Sequence, residues 1–480
     1  MNVNTIENFS ILSDYYEFTM GNGFLDNGYA DTIAYFDLYY RNIPDDGGFA
    51  IAAGLEPLIE YIQNLHFGEE EISFLREKGI FSEEFLDLLK NFKFSCDVWA
   101  VPEGTVVFPN EPLVIVRGPI IEAAIIETMA LLIINHQSLI ATKANRIVRA
   151  AEGRTVMEFG ARRAHGVSAA TLGARSAYIG GAHGTSNTLT DMKYGVPSLG
   201  TMAHSWVQLF PTEYDAFAAY ANTYPDNCIL LVDTYDTLRS GVPNAIKVFD
   251  DIVTKRGFRP KGIRLDSGDI AYLSKQARKM LDDAGYSDCQ ISASNSLDEF
   301  TIREMIAQGA QVDSFGVGER LITAKSNPVF GGVYKLVAIE RDGVFTPKIK
   351  ISSNVEKITT PGFKNVFRIY DKQTGKANAD LITTFDEKIT ESEPLEIFHP
   401  TYTWKRKTFH DFTVRSLLVP IFEKGNLVYD IPTIEESRKL CEKEVDSLWE
   451  EVKRFDNPHE YIVDLSLTLW QMKEDLLQRS

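Results

Sequence analysis

The chain has 480 residues, a formal net charge of −18 and 44% hydrophobic residues, with 33 glycines and 19 prolines. That composition is globular, with length for a large core and about two to four domains. The charge argues against a binder of nucleic acid, which needs a basic footprint. Phosphorylated small molecules stay open, because they need only a local set of Arg, Lys or backbone N–H groups.

Four cysteines, Cys96, Cys228, Cys289 and Cys441, lie far apart with no C-x-x-C pair, which argues against a zinc site and a disulfide framework. MNVNTIENFSILSDYYEF lacks a basic region followed by an apolar stretch, so no secretory signal is expected. The most apolar run, AAIIETMALLIINH, contains Glu127 and ends at His136, too short and polar for a membrane span. The expectation is a reducing, cytoplasmic setting without a membrane partner.

Along the chain, IAYFDLYYRNI reads as a strand and EEEISFLREKGIFSEEFLDLLKNF as helical. Short strands with turns at Pro102–Gly104 and Pro109–Asn110 follow, then a long buried helix over 120–152. From 154 a rhythm begins. Strands are expected in TVMEFGAR, PSLGTMAHS, CILLVDTYDT, GIRLDSGD, CQISASNS and DSFGVGER. Helices are expected in EYDAFAAYANTY, AIKVFDDIVTKRG, IAYLSKQARKMLDDAG and LDEFTIREMIAQGA. Alternation of this kind implies a parallel sheet with helical crossovers, and its repetition favours a closed or nearly closed β/α barrel over an open sheet. After 340 the text reads as exposed hairpins, and 432–478 as two charged amphipathic helices. The boundaries expected are 1–130 for an N-terminal α+β domain, 131–340 for the barrel and 341–480 for a C-terminal hairpin and helical region.

In such a barrel the reactive groups sit at the C-terminal ends of the strands. Those ends offer Arg162 and Arg163; Thr201, His204 and Ser205; Asp233 and Asp236; Arg264, Asp266, Ser267 and Asp269; Ser294 and Asn295; Gly316, Gly318 and Glu319. Arginines, a histidine, carboxylates and glycine turns on one rim suit an anionic, phosphate-bearing substrate. His204 could be a core histidine, a metal ligand or a group that does covalent chemistry. A zinc set of His165, His183 and His204 is conceivable, but no H-E-x-x-H or similar spacing supports it. ILLVDTYDTL resembles a ribose-gripping motif but lacks its paired acids and phosphate loop, so Asp233 reads as a plain strand end. No P-loop is present, and IGGAHG follows a helix rather than a strand, a poor fit to a dinucleotide fingerprint. None of the strand ends carries the lysine that a Schiff-base aldolase barrel would want. A non-catalytic barrel that senses a phosphometabolite is a further alternative.

EFGARRAHG, GTMAHSW, GIRLDSGD, FGVGERL and NPVFGGVYKL, with LSDYYEFTM near the start, together resemble the nicotinate phosphoribosyltransferase family. The blocks keep the family's order from about residue 12 to about residue 340. The resemblance implies an irregular β/α barrel, a second α+β domain formed by the N-terminal region, and a C-terminal β-rich plus helical extension. It implies transfer from 5-phosphoribosyl 1-diphosphate to nicotinate with Mg²⁺, giving nicotinate mononucleotide for NAD biosynthesis. It also implies coupling to ATP through a phosphohistidine, and a homodimer. By motif, His204 is the phosphorylated residue, and Asp266 an acid near the ring and ribose. Tyr16, Thr201 and Arg264 match nicotinate contacts, Arg162 a substrate-site arginine, and Ser267 stands beside them. The Gly316–Gly318 turn would hold the 5-phosphate. Glu319 stands where some relatives have threonine, and is expected to point away or pair with Arg320.

Overall fold

The computed structural model describes residues 8–479. Two compact units divide the chain: residues up to Leu139 together with those from Val329 onward, and Ile140–Pro328.

The first unit is built on a seven-stranded antiparallel sheet. Its order is Val344–Pro347, Val333–Arg341, Ile33–Tyr39, Val114–Pro119, Asp97–Ala100, Val419–Glu423 and Asn426–Leu427. The third strand in that order, IAYFDLY, is apolar at nearly every position, because both of its faces are covered. Strands from the two ends of the sequence therefore share one sheet. The breaks between these units fall after Leu139 and Pro328, and residues from Val329 onward pack with those up to Leu139. A strand's apolar pattern announces the strand but not its partner, so this pairing has no local signal.

Nor are the late hairpins simply exposed. Lys364–Asp371 and Ala377–Thr384 pair, and Ile369, Ala379 and Leu381 pack with Ile397, Phe409 and Phe412 in a core of their own. Fully buried Arg368 ties this sheet down. It bonds Asp380 at 2.6 Å, Glu444 at 2.7 Å and the Val106 carbonyl at 2.9 Å. The two charged helices near the C-terminus are present as Ile434–Ser447 and Leu467–Gln478.

The long apolar helix is split into Ile120–Ala124 and Glu127–Ala150. By length and composition Ile120–Ala150 could cross a bilayer, but 67% of its most apolar window is buried within the fold.

In the second unit five parallel strands run in the order Thr155–Glu158, Ser314–Val317, Gln290–Ser294, Gly262–Leu265 and Ile229–Leu231. Single bridges from Glu158 to Thr185, and from Thr185 to Ser198, extend the sheet past its first strand. PSLGTMAHS is thus not a strand. Only Ser198 bridges, and the chain then loops to the helix His204–Leu209. The stretch has no run of β-branched residues to sustain a ladder, and Gly200 weakens it further. The crossover helices Val167–Ile179, Glu213–Thr223, Ile270–Asp283 and Glu299–Ala307 complete an irregular β/α barrel. AIKVFDDIVTKRG is helical but not regular: π-turns at Thr237–Gly241 and Phe249–Val253 flank the α-turns Val242–Val248.

Candidate active site

The parallel register pairs Leu231 with Arg264. Asp233 and Asp266 therefore leave neighbouring strands at the same height. Asp233 is buried, and its Oδ2 accepts from the Asp266 N–H at 2.8 Å and the Ser267 hydroxyl at 2.7 Å. Its Oδ1 has no hydrogen-bond partner among the described residues. The Ser294 hydroxyl donates to Asp266 Oδ1. Between these carboxylates sits His204, the first residue of its short helix. Its Nε2 lies 3.5 Å from Asp266 Oδ2 and 3.9 Å from Asp233 Oδ1. On the other side of the ring, Nδ1 meets the Thr234 hydroxyl at 3.1 Å.

Arg264 donates from a terminal nitrogen to the Thr201 hydroxyl at 2.6 Å. Its Nε is buried without a partner among the described residues. Burial pulls the guanidinium pKa below its ordinary value. Asp266 and Asp233 counter that pull, and Arg162 adds to it by repulsion. Arg162 itself is exposed, on the short turn Ala161–Arg163 that follows the strand Thr155–Glu158.

Thus His204, Thr201, Arg264, Asp266 and Ser267 come together as the motifs suggest. Gly316 does not join them in a turn. It stands inside the strand Ser314–Val317, in register with Met157 and Ser294, and a Cβ there would run into the Phe159 ring. Its need for glycine is therefore packing. Gly318 alone is at the turn, as the N-cap of Glu319–Ile322. Glu319 pairs with Lys325 at 2.8 Å, which holds its carboxyl below the usual range, and not with Arg320. Arg320 is taken by Asp298 at 2.5 Å.

Sequence reasoning listed Asp233 and Ser294 among the rim groups without giving either a role, and did not name Thr234. Asp233 looked like an ordinary strand end, and Ser294 was one polar residue among many at the rim. The available signal was the run VDT directly after the apolar ILL, at the height of RLDS on the next strand. Among the described residues no group of three or more His, Cys, Asp or Glu gathers as a metal site.

Tyr16 belongs to the other unit, in the first turn of the helix Tyr15–Asp26, and is half exposed. Burial, and then the Glu127 carboxylate, push its phenol pKa up. Next to it Glu17 is buried, 2% exposed, and accepts from the Thr128 N–H at 3.0 Å and from the Thr128 hydroxyl. Burial pushes the Glu17 carboxyl up to about 7, although its hydrogen bonds from Thr128 oppose the shift. Unfolded, the same group titrates at about 4.3. The folded state holds this proton more tightly, so the stability it contributes is full below about 4.3 and is lost as pH rises through the folded value. Glu17→Gln keeps an acceptor for Thr128 and removes the charge. It is expected to raise the melting temperature above pH 7 and to change it little near pH 5. Thermal melts across that range check this; parallel pH profiles for parent and variant would contradict it.

Comparison with known proteins follows the same lines. Three family models match: the nicotinate phosphoribosyltransferase N-terminal domain over residues 11–135, the nicotinate phosphoribosyltransferase family over 155–385, and its C-terminal domain over 363–473. A Bacillus subtilis protein named nicotinate phosphoribosyltransferase is 45% identical over 97% of this chain and 95% of its own length. A Mycobacterium tuberculosis protein, nicotinate phosphoribosyltransferase pncB2, is 40% identical over 95% of this chain and 91% of its own. The crystal structure of human nicotinic acid phosphoribosyltransferase superimposes with a TM-score of 0.84 at 28% identity, covering 97% of this chain and 100% of that one. The barrel with histidine and carboxylates at its strand ends is that of an enzyme. The chain belongs to the nicotinate phosphoribosyltransferase family.

Proposed function

We propose that this enzyme joins nicotinate to 5-phosphoribosyl 1-diphosphate, giving nicotinate mononucleotide and diphosphate, with ATP hydrolysis coupled through a phosphorylated His204. The relatives named above support the transfer reaction. One observation carries the coupling. The His204 ring has two carboxylates on its Nε2 side and a neutral hydroxyl on its Nδ1 side. Carboxylates favour a proton on Nε2 and repel a phosphoryl group there. The Nδ1 lone pair is then the nucleophile toward the γ-phosphorus of ATP: the N–P bond forms, the bond to ADP breaks, and water later cleaves N–P.

In the transfer step the nicotinate nitrogen attacks C1 as the C1–O bond breaks. Positive charge develops on the ribose and negative charge on the departing diphosphate. Asp233 and Asp266 supply the carboxylate field for the sugar. Mg²⁺ takes one or two carboxylates plus substrate phosphates, and the unpartnered Asp233 Oδ1 beside the partly exposed Asp266 is such a donor set. Bound there, the ion would offset the charge of the diphosphate. Arg264, with a buried Nε–H that has no partner among the described residues, suits a bidentate grip on the nicotinate carboxylate. Nicotinamide could not return that grip. The reading includes a homodimer and a reducing cytoplasmic setting; four buried free cysteines suit the last.

Diphosphate release from nicotinate, nicotinamide and quinolinate, each with the ribosyl donor and with or without ATP, tests the proposal. Release with nicotinate that ATP accelerates is expected. Faster turnover of nicotinamide, or no response to ATP, would overturn it.

A further inference from the structure

Two loops meet at the His204 ring, and one buried carboxylate joins the elements behind both. Trp206, two residues after His204, donates its indole N–H to the Ala216 carbonyl at 3.0 Å. That fastens the His204 helix to Glu213–Thr223. Glu213 opens the latter helix, where the first turn favours a negative charge. It is 5% exposed. Its Oε2 accepts from the Ser240 hydroxyl and from the Asn244 amide at 2.9 Å. Its Oε1 has no partner among the described residues.

Ser240 belongs to the π-turn Thr237–Gly241, and Asn244 to the α-turns after it. π-turns are rare, and they recur at functional sites. This one starts directly after the strand end that carries Asp233 and Thr234. Asp236 closes its start by accepting from the Leu238 and Arg239 N–H groups. Gly241 folds back against the strand; a Cβ there would collide with the Val232 carbonyl oxygen. Residues 232–241 thus form a tight loop with Asp233 and Thr234 on it. The circuit runs from His204 through Trp206, Ala216, Glu213 and Ser240 to Thr234, and it closes at the imidazole Nδ1.

We propose that Glu213 is a positioning residue for His204: by holding Ser240 and Asn244 it keeps the Asp233–Thr234 loop in register with the imidazole. The inference deepens the reading of His204 as phosphoryl carrier and rests on it. Glu213 need not touch substrate. Its bonds set where Thr234 meets Nδ1, and displacement of reacting groups by about 1 Å can cost on the order of 100-fold in rate.

Two readouts test it on the full chain. His204 labelling by radiolabelled ATP should be about 10- to 100-fold slower in Glu213→Ala, with the nicotinate KM of the ATP-independent reaction unchanged. Glu213→Gln keeps an acceptor for both donors and should label at close to the parent rate. Histidine-nitrogen NMR reads the geometry directly: the His204 Nδ1 signal should move in the Ala variant and stay in the Gln variant. If Glu213→Ala does not fold, Ser240→Ala and Asn244→Ala each remove one donor and should move the same signal. Absence of label in the parent protein would defeat the phosphohistidine reading alone, and the Nδ1 signal would still judge the positioning. An unmoved Nδ1 signal in the folded variants, or a Gln variant as slow as the Ala variant, overturns the proposal.

Discussion

His204→Ala is expected to abolish acid-labile phosphorylation by ATP and to bring the ratio of rates with and without ATP down to one. The physical ground is local. His204 is the one imidazole at the meeting of Asp233, Asp266 and Thr234 among the described residues. Transfer without ATP should persist at a reduced rate, because Arg264, Thr201 and Ser267 keep their own bonds. A residual background of this kind is usual when the binding groups survive the loss of a nucleophile. Phosphate labelling with acid and alkali quenches, beside steady-state rates, measures both effects. ATP stimulation that survives the substitution would remove His204 from the coupling.

The second large effect belongs to Arg264→Ala. A charge-assisted hydrogen bond contributes about 1.5–3 kcal/mol, which corresponds to roughly 10- to 100-fold in binding. The nicotinate KM should rise by that order while the KM for the ribosyl donor changes much less. Thr201 loses its donor in this variant, so Thr201→Val serves as the control. It removes the same hydroxyl contact but leaves the guanidinium, so any rise in nicotinate KM that it shows measures the share of the hydroxyl, and the larger rise in Arg264→Ala measures the guanidinium. Equal rises for nicotinate and ribosyl donor in Arg264→Ala would contradict a carboxylate grip. Arg264→Lys keeps the charge and loses the fork, so recovery in that variant would show that charge alone suffices.

Much of the site was legible because its residues lie next to strong local signals. Apolar runs such as ILL, GIRL and SFGV announce strands, and small or polar residues follow each one. The strand–helix rhythm put these ends on one rim, and the family resemblance singled out Thr201, His204, Arg264, Asp266 and Ser267 among them. The misreadings share a cause. PSLGTMAHS carries a motif at a strand's usual place in the rhythm, but not a strand's composition, and only Ser198 bridges. Gly316 looked like part of a phosphate turn, whereas the Phe159 ring fills the space where its side chain would be. Of the two outcomes expected for Glu319, pointing away or pairing with Arg320, the pairing is not formed, because Asp298 holds that arginine and Lys325 takes Glu319.

By itself the amino-acid sequence determined the alternation of strand and helix and the family, because those depend on periodicity and on short motifs. Three features were decided only in the folded chain. Strands from both ends of the sequence share one antiparallel sheet. Asp233 stands level with Asp266 against one face of His204. Glu213 bonds across 27 residues to Ser240 behind the same ring. Each is a pairing between positions distant along the chain. Local propensity gives such pairs no preference for one another; burial, strand register and the need to satisfy a buried carboxylate do.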